Sequence, residues 1–167
     1  IAKNGRAGLS YTVPKGFAPA SDVANLSIIG YDPAKYYSGR GPLEAANMGI
    51  KLGPDDIAFR CNLVTVDREK MADYSAGHIT SDEAATLIRY LDKKLGSDKI
   101  KFYPGVSYRH LMIVRDGSLK EALRAAECVP PHDITGMARK DFVPKVDGAK
   151  MFIKIMKLFL MEAYQNE

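Results

Sequence analysis

Apolar and polar positions along this chain switch between two periods, and the switches mark its elements. Residues 6–13 alternate, with Ala7, Leu9, Tyr11 and Val13 on one side, as a strand would. Val23, Leu26 and Ile29 then recur at helical spacing behind Ser21, and Gly30 supplies a stop, which predicts a helix over about 22–29. Pro42 suits the first position of a short helix over 43–48, closed by Gly49. Residues 57–66 are rich in β-branched and aromatic side chains and read as the clearest strand. Thr80 and Glu83 form a capping box ahead of the apolar stripe Ala84, Leu87, Ile88, Leu91 and Leu95, which ends at Gly96. Strands are predicted over 100–103 and 108–115, joined through Pro104-Gly105-Val106-Ser107. A second capping box, Ser118 to Glu121, opens a helix over 119–126. Pro130 and Pro131 then make 128–133 a rigid loop, excluded from helix and central strand. A last helix from about residue 149 turns Phe152, Ile155, Met156, Phe159 and Ala163 toward a core.

Strands alternating with helices predict an α/β fold: a layered mixed sheet with flanking helices, partly antiparallel around 100–115. Composition narrows this little. The 167 residues are enough for one core, or for a domain plus part of another, and an apolar share of 46% excludes a disordered chain. A net charge of +4 is too mild to argue for nucleic acid but suits a handler of small anions. Cys61 and Cys128 lack metal-type spacing and read as reduced thiols of a cytoplasmic protein. No apolar run is long enough to span a bilayer, since Lys154 and Lys157 break the segment 151–161. Both ends of the chain are abrupt, with the start resembling a helix tail, and a piece of something longer is expected.

The candidate chemistry lies in polar residues at apolar places. A serine opening a helix beside free N–H groups can cradle a phosphate or accept it covalently, but serine there is most often a plain cap. Ser21 therefore carries both readings. Arg60 and Asn62 share one face of the strongest strand, where a guanidinium needs an anion, either a ligand or a structural partner such as Asp67 or Asp73. Arg109 and His110 fall on opposite faces of their strand. Arg40 stands between Gly39 and Gly41, as in many ligand loops. His78 and His132, the latter beside Asp133, sit in loops. Each lone histidine is more often structural than catalytic. No HExxH, CxxC, GxGxxG or Walker pattern occurs.

Taken in order, several segments carry a resemblance. They are Phe17-Ala18-Pro19-Ala20-Ser21-Asp22-Val23-Ala24-Asn25-Leu26-Ser27-Ile28-Ile29-Gly30-Tyr31-Asp32-Pro33, Tyr36-Tyr37-Ser38-Gly39-Arg40-Gly41-Pro42, Ala58-Phe59-Arg60-Cys61-Asn62, Asp73-Tyr74-Ser75-Ala76-Gly77-His78-Ile79, Tyr108-Arg109-His110 and Pro130-Pro131-His132-Asp133-Ile134-Thr135-Gly136. Together they resemble the archaeal-type, 2,3-bisphosphoglycerate-independent phosphoglycerate mutases of the alkaline phosphatase superfamily. The resemblance implies an isomerase that interconverts 3- and 2-phosphoglycerate through a phosphoserine on Ser21. It implies that residues 1–30 are part of a metal-bearing core, 31–147 an inserted substrate-handling domain, and 148–167 a helix leading back to the core. Substrate contacts are then expected from Arg40, Arg60, Asn62, His78, Arg109, His110, His132 and Asp133.

The same resemblance implies two divalent metals, manganese or magnesium, and no 2,3-bisphosphoglycerate. Ser21 would be a metal ligand through its hydroxyl, but the aspartates and histidines that complete the family's sites are missing from this sequence. The expectation is a chain inactive by itself, binding neither nucleic acid nor membrane, with its oligomeric state open. Two other readings remain beside it: an anion-binding module without chemistry, and a superfamily phosphotransferase acting on another phosphorylated metabolite.

Overall fold

The structure, a computed structural model, describes residues 3–6, 8–124, 128–138 and 141. It forms two compact units, Ile1–Arg40 and Gly41–Glu167. The predicted C-terminal helix from about 149 lies outside the described residues.

In the first unit, α1 (Ser21–Ile28) ends as its sequence predicts. Gly30 takes a φ of +91°, its N–H bonds the Ser27 carbonyl, and the Tyr31 N–H reaches back to Leu26. These paired bonds satisfy the last orphan carbonyls through a left-handed residue that glycine adopts freely. A one-turn helix, α2 (Pro33–Tyr36), follows, with Asp32 accepting from the Ala34 N–H and Pro33 opening the turn. The strand expected over 6–13 does not form: residues 8–14 carry no regular structure, and Leu9 and Tyr11 are fully exposed. Alternation makes a strand only where a neighbouring strand takes up its N–H and C=O groups, and none does so among the described residues.

The second unit is built on a sheet of three strands in the order β1 (Ile57–Asn62), β5 (Arg109–Val114), β4 (Ile100–Tyr103). The α/β class predicted from the sequence holds, and every described strand pair is antiparallel, which narrows the mixed sheet expected. β5 is central, and Leu111, Met112, Ile113 and Val114 are all buried, so its apolar run is continuous rather than alternating. On one face Met112, Val114, Phe102 and Ile100 join Ala84, Ile88 and Leu91 of α4 (Ser81–Leu95) in the core. Register puts Ala58, Arg60 and Asn62 on the other face, beside Ile113, Leu111 and Arg109. There α3 (Arg40–Asn47) approaches β1 so closely that a Cβ on Gly41 would run into the Ala58 carbonyl. Gly41 is thus set by packing rather than by loop freedom. Helix α3 begins before Pro42, which falls at its third residue, still within the turn whose N–H groups lack helical partners.

The apolar run 57–66 divides. Leu63 is buried and its N–H bonds the Tyr108 carbonyl, after which β2 (Thr65–Asp67) leaves to pair with β3 (Lys70–Asp73). Their turn is Arg68-Glu69, with φ of +44° and +73°. That is the two-residue hairpin geometry usually marked by Asn-Gly, so β3 left no signal in the sequence. The capping box at Thr80 and Glu83 forms as predicted. The second box does not: Asp116 caps a 3₁₀ turn, Gly117–Leu119, which runs into α5 (Lys120–Arg124). Instead of a loop, Pro131–Ile134 makes one 3₁₀ turn, which Pro131 tolerates at its first position. The segment after it docks on β3, with Met71 exchanging backbone bonds with Met137 and Gly136.

Candidate functional site

Ser21 is the first residue of α1, and Ala20 occupies the cap position with no side-chain bond. The plain-cap reading of Ser21 therefore fails. Its side chain is exposed, and among the described residues its hydroxyl makes no hydrogen bond. Next to it, Asp22 Oδ2 accepts from the Tyr37 hydroxyl at 2.5 Å and from Arg40 Nε at 3.2 Å. Burial works against the Asp22 charge, but the bonds from Tyr37 and Arg40 prevail and hold its pKa below the ordinary value. Burial and the same carboxylate push the Tyr37 phenol up to about 12. Asp22 Oδ1 is buried without a partner among the described residues. The first unit thus places, at the start of α1, a hydroxyl with no hydrogen bond among the described residues and, at the next position, the Asp22 carboxylate bound by Tyr37 and Arg40. The role of Asp22 and Tyr37 was not visible in the sequence, because the contact joins residues on α1 to the segment after α2.

In the second unit, Arg60 finds its carboxylate in Glu44 at 2.9 Å, not in Asp67 or Asp73. The charges pair without a well-aimed Nε hydrogen bond. Asn62 lies directly across from Arg109 in the β1–β5 register, and among the described residues its Oδ1 is buried with no partner. The Arg109 guanidinium stacks over Tyr108 at 5.4 Å. Tyr108 meets Tyr74 edge-on at 5.9 Å, and Tyr74 meets His132 in the same way at 6.2 Å. A continuous row of Asn62, Arg109, Tyr108, Tyr74 and His132 results. Tyr74 and Tyr108, quoted in the sequence only as parts of motif segments, are the ring contacts that link this row.

Asp133 joins the His132 end of this row, while His78 and His110 separate from it. His132 Nε2 lies 3.3 Å from Asp133 Oδ1, both largely exposed. His78 is exposed and lines a shallow groove with Thr80 and Glu83. His110 is on the core face, as the alternation requires. Its Nδ1 accepts the Gly105 N–H at 3.0 Å, and burial lowers its pKa to about 4. That makes it a neutral histidine closing the β4–β5 loop. For the implied metals the donor set does not fit: among the described residues no group of three His, Cys, Asp or Glu side chains could hold an ion. Ser21 alone remains of the expected ligands. Among the described residues, no helix is long and apolar enough to cross a membrane.

A family model described as 2,3-bisphosphoglycerate-independent phosphoglycerate mutase matches residues 2–166. A protein of that name from Methanosarcina acetivorans is 56% identical over 152 residues, which is 91% of this chain and 37% of the relative. A probable 2,3-bisphosphoglycerate-independent phosphoglycerate mutase of Geobacter sulfurreducens is 49% identical, over 93% of this chain and 39% of its own length. Among solved structures, a cofactor-independent phosphoglycerate mutase from Thermoplasma acidophilum superposes with a TM-score of 0.55 at 27% identity. That match covers 87% of this chain and 39% of the other. The chain thus spans well under half the length of these relatives.

Proposed function

The chain belongs to the 2,3-bisphosphoglycerate-independent phosphoglycerate mutase family, and from that premise we propose that it supplies the phosphoryl-accepting serine and substrate-holding groups of such a mutase. The observation that carries the reading is the state of Ser21: first residue of α1, exposed, its hydroxyl without a hydrogen bond among the described residues, with the cap position left to Ala20. Ser21 Oγ attacks the phosphorus of 3-phosphoglycerate in line. The Oγ–P bond forms, the bond from phosphorus to the substrate 3-oxygen breaks, and the serine proton ends on that oxygen. The 2-hydroxyl of bound glycerate then attacks the phosphoserine and returns a proton to Ser21. Free N–H groups in the first turn of α1 favour the anionic phosphoryl group at that place.

Glycerate must stay bound between the two steps, or water takes the phosphoryl group. We assign its carboxylate to Arg109 and Arg60, with Asn62 beside them. Arg40 contributes through its terminal nitrogens, since Nε is engaged by Asp22. His78 and His132, the latter paired with Asp133, handle protons. His110 leaves the set because its neutral, buried ring serves the fold. Residues 1–30 as core and 31–147 as insertion remain part of this proposal. So do the two divalent ions, manganese or magnesium, which belong to the proposal for a full-length mutase. A cytoplasmic location goes with the reading and is supported by the two free thiols, Cys61 and Cys128.

The test is Ser21→Ala in a full-length mutase containing this segment. Brief incubation with substrate labelled in its phosphate should leave acid-stable label on Ser21 of the unaltered enzyme and none on the variant. Mutase turnover should fall at least about a thousandfold, as when an essential nucleophile is lost. Retained turnover in Ser21→Ala overturns the assignment.

A further inference from the structure

Among the described residues, left-handed backbone outside glycine is confined to a few places. Arg68 and Glu69 form the hairpin turn already described, while Ala76, His78 and Ser107 fall where loops carry candidate residues. Ala76, Gly77 and His78 are consecutive, with φ of +51°, +66° and +59°. Each non-glycine residue so placed costs roughly 1–2 kcal/mol, and such strain persists only where the surroundings impose it. Here the imposing group is the Asp73 carboxylate. Its Oδ1 accepts from the Ser75 N–H at 2.9 Å and the Ser75 hydroxyl at 2.8 Å, and Oδ2 accepts from the Gly77 N–H at 2.6 Å. The Ser75 carbonyl in turn receives the His78 N–H at 3.1 Å. Ser75 is buried, which fixes the clasp to the body of the unit.

The far end of the run is pinned as well. Ser107, itself left-handed at +53°, donates its hydroxyl to the Ile79 carbonyl at 2.8 Å and its N–H to Ser81 Oγ at 3.0 Å. Between these two anchors His78 is exposed. The clasped left-handed backbone between them sets the direction in which its side chain leaves the chain. The N–H groups of Ser75 and Gly77 hold the Asp73 pKa below its ordinary value, so the ionised acceptor is the form that closes the clasp.

We propose that Asp73 is a positioning residue whose carboxylate holds the left-handed run Ala76-Gly77-His78 and so aims the His78 ring at the substrate. This rests on the reading of His78 as a proton-handling residue of the mutase. Asparagine at 73 keeps the shape but sets an N–H₂ against one of the backbone donors, which opens the run.

The experiment uses a full-length mutase containing this segment and four variants: Asp73→Asn, His78→Ala, the double variant, and Asp73→Asn with Ala76→Gly. Asp73→Asn should lower kcat about 10- to 100-fold, the scale of a misplaced catalytic group, with KM nearly unchanged. The double variant should be no slower than His78→Ala. Glycine at 76, which accepts the left-handed conformation without strain, should restore part of the lost kcat. Melting curves establish that each variant is folded. Should Asp73→Asn not fold, Ser75→Ala removes the hydroxyl shared by both Asp73 oxygens, and the same pattern is expected of it. Losses that multiply in the double variant, or an unchanged kcat in Asp73→Asn, overturn the positioning role. An unchanged kcat in His78→Ala overturns the role of His78 itself and this inference with it, and so marks a different failure.

Discussion

Acid should destabilise this chain through a single buried ring. His110 is 1% exposed, and its Nδ1 accepts the Gly105 N–H, so the neutral form carries its hydrogen on Nε2. A proton added at Nδ1 would face that N–H donor to donor. Burial lowers the pKa from 6.5 to about 4. The folded value lies below the unfolded one, so the unfolded chain takes up the proton first. The stabilisation is complete above about pH 6.5 and drains as pH falls toward about 4. At pH 5 the linkage amounts to about 2 kcal/mol relative to pH 7.5, a large part of an ordinary domain's stability. The assay is urea unfolding of the chain and of His110→Asn at those two values. Asparagine keeps an acceptor for the Gly105 N–H and does not titrate, so its own packing defect cancels within the pair of pH values. The parent should lose about 2 kcal/mol more than the variant on acidification. Equal losses would refute the reasoning and mean that the ring protonates in place.

Two further substitutions test the packing. Gly41→Ala would ordinarily gain roughly 1 kcal/mol in a helix, but its Cβ meets the Ala58 carbonyl. Overpacking of about 1–3 kcal/mol should win, and a rise in melting temperature would disprove the close approach of α3 to β1. Thr80→Ala removes the hydroxyl that accepts the Glu83 N–H, at about 1 kcal/mol for a lost cap. It should lower the melting temperature by a few degrees, and an unchanged melting curve would count against the capping box.

What the sequence made legible was local. Thr80 with Glu83, and Gly30 behind Leu26 and Ser27, act within one helical turn, and the structure builds both as predicted. The Arg109–His110 alternation held for the same reason. Features that depend on distant partners were not legible. Arg60 pairs with Glu44 because α3 packs on β1, and no spacing between 44 and 60 announces that. Arg68 and Glu69 adopt a hairpin turn without the residues that normally mark one, so β3 went unseen. Leu9 and Tyr11 have the alternation of a strand and no described neighbour to make them one. At the site, Ser21 stood out by its place before an apolar helix. Its neighbours Tyr37 and Arg40 converge on Asp22 through the chain's return, which a linear reading does not contain.

The strand order β1-β5-β4 has a consequence for synthesis on the ribosome. β4 and β5 are close in sequence and can pair as soon as both emerge, but β1 has to wait for β5 on the far side of β2, β3 and α4. Until Val114 has left the exit tunnel, Ile57, Phe59 and Cys61 belong to a strand that has no sheet. Closing so long a loop is the slow part of folding for such pairings, and a chain emerging from its N-terminus exposes the unpaired strand for that whole interval. Misassembly during translation is therefore expected first at β1, the strand that carries Arg60 and Asn62.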